Sequence, residues 1–237
     1  MIAFLMGMFF STQAADHVKG NGKLSTKKIT IDDFNAIKFD GVIDFNYEQS
    51  ESTPHIEITV DENLHPYVNI DIQDRVLTVG FKGAKVDHFT KFIVKTNSKW
   101  LKEVKASGNA NSNCLVQLKQ KVEVGKLDLN VSGSANMVVN ELKTDKLECS
   151  INGSGTINLK AGNAEEADYS ITTDGEIMAF GVAASEVNCK ITGKGSAQIH
   201  PTDNLKATIV GKGNIRYKGP TAVQQKIIGK GTVEEVK

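Results

Sequence analysis

The sequence has little proline and no excess of charge of either sign. Its 237 residues include 4 prolines against 21 glycines, and Lys plus Arg equals Asp plus Glu at 28 each. A balanced charge removes the usual electrostatic argument for a nucleic-acid or anionic-membrane partner. Long helical patterns are also absent, whereas Val, Ile, Thr and Asn are frequent. This composition predicts many strands joined by tight turns.

Signatures of catalysis and of metal binding are missing as well. The five histidines share no metal-ligand spacing, and no G-x-S-x-G nucleophile motif or Cys-His pair with supporting context occurs. The single Trp100 gives no platform for stacking sugars. We therefore expect a protein that is not an enzyme and that needs no cofactor and no metal. The histidines are His17, His55, His65, His88 and His200.

The chain begins with MIAFLMGMFFSTQAAD, which has the apolar core and small-residue cleavage site of a secretory signal. The sequence predicts a signal peptide at 1–14 and export of the rest. This apolar run is too short for a membrane span, and no second run follows it.

The remaining chain divides into two regions. Residues 27–106 alternate apolar and polar side chains in short segments such as KITI and HIEITVD, which predicts an N-terminal β region without a common period. From residue 107 to 237 a repeat of 18 or 20 residues appears, and six copies at nearly constant spacing indicate a solenoid. The six copies are LDLNVSGSANMVV (127–139), LECSINGSGTINL (147–159), ADYSITTDGEIMA (167–179), VNCKITGKGSAQI (187–199), LKATIVGKGNIRY (205–217) and VQQKIIGKGTVEE (223–235).

The side chains within each copy alternate with period two, so each copy is built of strands whose even-numbered residues face outward in the first four copies. The predicted fold is all-β: a single-stranded β-helix, taken as right-handed, with an N-terminal β-strand-rich region. Cys149 and Cys189 fall in one inward column, two coils apart, which is too far for a disulfide. With Cys114 on another strand, the sequence predicts three free, buried thiols.

Each copy carries a G-x-G string or a close variant, which raises the possibility of a phosphate loop. That loop requires a helix after the glycines, and here a strand-like segment follows every time. We therefore interpret the glycines as corners that allow positive φ or a tight turn between faces. The predicted corner residues are Gly133, Gly153, Gly155, Gly175, Gly193, Gly195, Gly211, Gly213, Gly229 and Gly231.

Two outward columns are candidate binding sites. Lys194, Lys212 and Lys230 occupy the middle of the last three corners and would form a basic ladder for an anionic glycan or surface polymer, unless they only keep the corner soluble. Asp128, Glu148 and Asp168 form an acidic column with the spacing of a retaining glycosidase pair or a Ca²⁺ site. A solvated face is the alternative to catalysis there, because a general acid needs surroundings that shift its pKa.

The lead-in AIKFDGVIDFNYE, the segment ENLHPYVNIDIQDRVLTVGFK and the SGSA, NGSG, TGKG and VGKG corners resemble the family of exported Gram-negative bacterial proteins called "putative auto-transporter adhesin, head GIN domain". The resemblance covers roughly residues 29–220. It implies a β-helix with glycine corners, a role in cell adhesion and no recognised catalytic residues. The third copy departs from the pattern at Thr173, where we expect a wider or differently shaped corner.

These observations favour an exported, non-enzymatic protein in the periplasm, on the outer surface or in the medium of a Gram-negative bacterium. Its expected partners are host or bacterial surface glycans or proteins, not nucleic acid, and a homo-oligomer is left open. Two alternatives remain: an enzyme acting on polysaccharide through the acidic column, and a purely structural envelope protein.

Overall fold

A computed structural model describes residues 17–108, the N-terminal region, and residues 114–236, the repeat region. The predicted signal peptide lies outside the described residues. In the N-terminal region the strands are β1 (His17–Lys19), β2 (Leu24–Thr30), β3 (Ala36–Asp40), β4 (Asp44–Gln49), β5 (His55–Asp61), β6 (Val68–Gln73), β7 (Val76–Phe81), β8 (Lys85–His88), β9 (Ile93–Ser98) and β10 (Glu103–Gly108), with a 3-10 helix at Glu62–Tyr67. In the repeat region they are β11 (Leu115–Gly133), β12 (Asn136–Gly153), β13 (Thr156–Leu159), β14 (Gly162–Thr173), β15 (Glu176–Gly193), β16 (Ser196–Gly211), β17 (Asn214–Tyr217), β18 (Ala222–Gly229) and β19 (Thr232–Glu235).

The repeat region is a stack of parallel coils, which confirms the predicted all-β solenoid. Each coil runs over three faces: the face before the glycine corner, such as 147–153, a short face after it, such as 156–159, and a third face that leads to the next coil. Equivalent residues of successive coils pair directly, as Val131 pairs with Ile151 and Ile151 with Ile171. Since one coil cannot bury its apolar side alone, these neighbours supply its core.

The parallel ladder continues into the N-terminal region, but in a different spatial order from the chain order. β3 lies between β10 and β7, and β4 lies between β11 and β9, all in parallel pairs. The coil formed by β3 and β4 therefore sits inside the stack, and β7 and β9 cover its far side. Antiparallel pairs of β2 with β5, β5 with β9 and β6 with β7 complete that end.

The inward columns form a continuous core. One column runs through Leu129, Cys149, Tyr169, Cys189 and Ala207, which pair in register and are all at most 2% exposed. Together with Cys114, which is also buried, the cysteines are free thiols, as the sequence predicts. Burial raises the pKa of the Cys114 thiol to about 11. These cysteines act as small apolar side chains.

Four of the six corners carry two glycines, and the two meet different constraints. The first adopts the left-handed region, with φ of 142° at Gly153 and 120° at Gly193. The second has an ordinary φ, but a Cβ on Gly155 would overlap the Ala135 carbonyl oxygen of the coil below. In the third copy Thr173 adopts φ of 87° and still pairs with Gly153 and Gly193, so the register passes through this corner without interruption.

Candidate functional site

The corner amides are committed to the stack. The N–H of Ser154 donates to the Gly133 carbonyl oxygen at 2.8 Å, and the N–H of Lys212 donates to that of Gly193 at 2.8 Å. A phosphate loop needs such N–H groups free and pointing at the anion. The corners therefore lack the free N–H donors of a phosphate site. A ligand that binds at a corner must contact the corner side chains instead.

The three carboxylates of the acidic column stack on one face. Asp128 pairs with Glu148 and Glu148 with Asp168 in the register of β11, β12 and β14. The same column begins one coil earlier at Glu103 and continues to Asn188. Like charges at this spacing repel each other, so the column needs cations beside it.

Two lysines supply that charge. Lys126 Nζ lies 3.2 Å from Asp128 Oδ1 and 3.1 Å from Glu148 Oε1. Lys146 Nζ lies 3.2 Å from Asp168 Oδ2 and 3.0 Å from Oε1 of Glu166, which adjoins the column. Lys126 joins carboxylates of two coils, and Lys146 reaches two carboxylates of the next coil, so the column is an ion-paired network on a strand surface.

The protonation equilibria follow from this network. Two hydrogen bonds raise the pKa of Lys126, and the one to Glu148 has a larger effect than the one to Asp128. Partial burial raises the pKa of Asp128 despite the attraction of Lys126. The repeat pattern alone does not single out these lysines, but the sequence contains a signal for them: KLD (126–128) and KLE (146–148) place a lysine two residues before a carboxylate, on the same strand face.

The lysine ladder, Lys194, Lys212 and Lys230, lies along one corner of the last three coils. Gly193, Gly211 and Gly229 pair in register, so the lysine that follows each glycine is stacked on the next. All three side chains are exposed. Within residues 17–108 and 114–236 no carboxylate lies within ion-pair distance of them. Their charge is therefore available to a ligand, unlike that of Lys126 and Lys146.

A shallow groove lies between the acidic column and the last coils. Its volume is about 550 Å³. Asp168, Asn188, Lys206 and Gln224 line it one after another, in successive coils of the same column. The groove thus joins a carboxylate, an amide and an ammonium along one line on the solenoid surface.

The charge of the repeat region is strongly uneven along its axis. Residues 141–186 contain nine Asp or Glu and three Lys, whereas residues 187–233 contain eight Lys or Arg and one Asp. The overall neutrality of the chain hides this division. Within residues 141–233, the last coils are therefore the part that attracts an anionic partner most strongly, over a distance of about a Debye length.

The stacked coils, the glycine corners and the flanking antiparallel strands define a β-solenoid of short coils. The chain belongs to the family described as "putative auto-transporter adhesin, head GIN domain", which matches residues 33–220. No curated protein matches it. In the described residues, none of the helices is long and apolar enough to cross a membrane.

Solved structures agree with this assignment. A structure described as a putative adhesin from Parabacteroides merdae is 92% identical and covers 94% of this chain and 100% of its own, with a TM-score of 0.81. A second putative adhesin, from Parabacteroides distasonis, is 65% identical over 93% of this chain and 100% of its own, with a TM-score of 0.79. A third structure, described as a putative lipid binding protein from Parabacteroides distasonis, is 30% identical over 94% of this chain and 100% of its own, with a TM-score of 0.76.

Proposed function

We propose that this protein is an exported, non-enzymatic adhesin-like protein that binds an anionic surface glycan along the lysine ladder. Membership of an adhesin family supports the general role and a location outside the cytoplasm. The observation that carries the finer proposal is the in-register stack of Gly193, Gly211 and Gly229, which aligns three unpaired lysines.

The geometry favours an extended polyanion over a single anionic group. Successive coils are about 4.8 Å apart, so a chain lying parallel to the solenoid axis meets one ammonium per coil. A single exposed ion pair contributes only about 0–1 kcal/mol. Several pairs on one rigid edge act together, because after the first contact the others form within the same complex. Binding of this kind weakens as salt is added.

The test is a charge reversal of the whole ladder. We expect the purified protein to bind immobilised polygalacturonate or dextran sulfate in low salt and to be released by added salt. The variant with Lys194→Glu, Lys212→Glu and Lys230→Glu should lose this binding. The matched control reverses the exposed residues Lys27, Lys102 and Lys119, which lie in other parts of the stack and should leave binding intact.

The other outcomes separate the alternatives. Equal loss in the control variant would show that net charge and not the ladder is responsible. Binding to vesicles of anionic phospholipid but to neither polysaccharide would point to a lipid headgroup, in line with the relative described as lipid binding. Binding to no probe would favour a purely structural envelope role.

The groove supports a second candidate function, action on a polysaccharide. It places Asp168 and Lys206 along one line, so a sugar chain lying there would contact both a carboxylate and a cation. The measurement is release of new reducing ends from a polysaccharide panel by the purified protein and by Asp168→Asn. Cleavage by the unaltered protein that disappears in the variant would replace the adhesin proposal with a glycosidase.

A further inference from the structure

The last coil leaves a strand edge open. β18 (Ala222–Gly229) pairs with β16 along one edge, and no strand within the described residues pairs with its other edge. At the opposite end of the stack, β7 and β9 are joined to the antiparallel strands β6 and β5. Open edges pair readily with other strands, and natural proteins cover or blunt them.

The open edge also exposes apolar side chains. Val223 and Ile227 continue inward columns of the solenoid, below Leu205 and Ile209, yet they are 37% and 39% exposed. The neighbouring Ile228 is 54% exposed. Gln225, by contrast, is a polar residue in the inward column that Ala207 occupies one coil earlier. At this end of the core, the apolar side chains of Val223 and Ile227 therefore lie on either side of the Gln225 side-chain amide.

We propose that a second copy of this chain covers this edge, with the two β18 strands antiparallel about a two-fold axis through Gln225. In this register Val223 of each copy lies opposite Ile227 of the other, and the two Gln225 side chains face each other. Inward residues meet inward residues, so the two cores become continuous. The edge amides and carbonyls of both strands then gain partners.

Other pairing registers of the two β18 strands are less favourable than the one centred on Gln225. Pairing centred on Lys226 places two ammonium groups directly opposite each other, which is destabilising. Pairing centred on Gln224 puts Val223 opposite Gln225 and leaves Ile227 without an apolar partner. Pairing centred between two residues would set inward side chains against outward ones. The Gln225 register also keeps Lys226 opposite Gln224.

Charge complementarity supports the same symmetry. The two-fold axis through the face of β18 exchanges the two adjacent faces, so β19 of one copy lies over residues 218–221 of the other. β19 ends with Glu234 and Glu235, and the segment opposite begins with Lys218. These acidic residues oppose the repulsion between the two basic ends, which added salt also screens.

The experiment is disulfide trapping at the axis. Paired antiparallel residues have Cα atoms about 4.5–5.5 Å apart, which a disulfide accepts. Under mild oxidation we expect Gln225→Cys to form a covalent dimer. Ile227→Cys alone should not, because two copies of residue 227 are four positions apart, roughly 13 Å. An equal mixture of Val223→Cys and Ile227→Cys proteins should cross-link. The unaltered protein is the negative control, because its own thiols are buried.

Light scattering on the unmodified protein supplies an independent measurement. We expect a concentration-dependent dimer that tightens with added salt, and loss of the dimer in Ile227→Lys. A monomer at all concentrations, or a dimer that Ile227→Lys leaves intact, would overturn the proposal. Equal cross-linking by Gln225→Cys and by the exposed corner variant Lys194→Cys would overturn it as well, since that pattern reports random collision.

Discussion

The N-terminal region and the repeat region share one parallel ladder but stabilise it differently. In the repeat region the same contacts recur from coil to coil: a corner residue that pairs in register and is glycine in every copy but the third, and inward columns of apolar residues. The N-terminal region depends on contacts that occur once. Tyr47 hydrogen-bonds to Ser98, and Phe81, Phe89 and Phe92 form a single aromatic cluster.

The two kinds of contact predict different effects of mutation on stability. Stability in a solenoid is close to a sum over coils and their interfaces, so each corner contributes a similar share. Where contacts occur once, a few residues carry a large part of the stability. Mutations that test each kind of contact therefore separate the two regions.

The largest effect is expected at a corner glycine. Gly155→Ala places a methyl group against the Ala135 carbonyl oxygen and the Val131 side chain of the coil below. Overpacking of this kind costs about 1–3 kcal/mol and more where backbone must move. We expect a loss of about 3 kcal/mol in the free energy of unfolding, measured by urea denaturation.

The matched glycine lies in the N-terminal region. A Cβ on Gly80, within β7, would meet no atom within 4 Å, so Gly80→Ala should leave stability unchanged or slightly higher. Equal losses at both positions would contradict the close-approach explanation and would point to a general sensitivity of strands.

This contrast also explains what could be predicted from the sequence. The alternation in LECSINGSGTINL fixes which side chains face inward, and repetition makes the same inference six times. The N-terminal region offers no such redundancy. Nothing local in AIKFD or DFNYE indicates that β3 and β4 form a coil inside the stack, because their partners are distant in sequence: β7 and β10 for β3, and β9 and β11 for β4.

The candidate sites also differ in how far the repeat specifies them. The positions of Lys194, Lys212 and Lys230 follow from the repeat, since each lysine has the same neighbours. The ion pairs of Lys126 and Lys146 depend on side-chain conformations that periodicity does not specify. The groove depends on surface shape, which no sequence pattern encodes.

The second-largest loss of stability is expected on mutation of Asp61, a buried carboxylate of the N-terminal region. Its oxygens accept hydrogen bonds from the Gly22 N–H at 2.7 Å, the Thr90 N–H at 2.8 Å and the Thr90 hydroxyl at 2.9 Å. Asp61→Asn replaces one acceptor by an NH₂ group that faces a donor. We expect a loss of about 2 kcal/mol in unfolding free energy, whereas Glu165→Gln, an exposed residue of the repeat region, should have no effect.

Asp61 also gives the N-terminal region a pH dependence. Burial opposes ionisation, but the hydrogen bonds from Thr90 and Gly22 outweigh it and hold the pKa of Asp61 below its usual value. A carboxylate with a lowered pKa in the folded state stabilises the fold above its unfolded pKa, and this contribution is lost as pH falls. Unfolding curves recorded from neutral to acidic pH should therefore fall less steeply with acid for Asp61→Asn. Parallel curves would contradict this assignment.

The smallest effect, and one of opposite sign in the two regions, is expected at two buried tyrosines. Within the described residues the hydroxyl of Tyr169 has no hydrogen-bond partner, and its neighbours in the column are Cys149 and Cys189. The hydroxyl of Tyr47 donates to the Ser98 carbonyl oxygen at 3.1 Å. Removing an unsatisfied buried hydroxyl recovers its desolvation penalty, whereas removing a bonded one leaves its partner unsatisfied.

We expect Tyr169→Phe to raise the unfolding free energy by about 1 kcal/mol and Tyr47→Phe to lower it by about 1 kcal/mol. A loss in both variants would mean that Tyr169 has a partner after all, and the contrast between a repeated apolar core and a singly bonded N-terminal region would then not hold at this column.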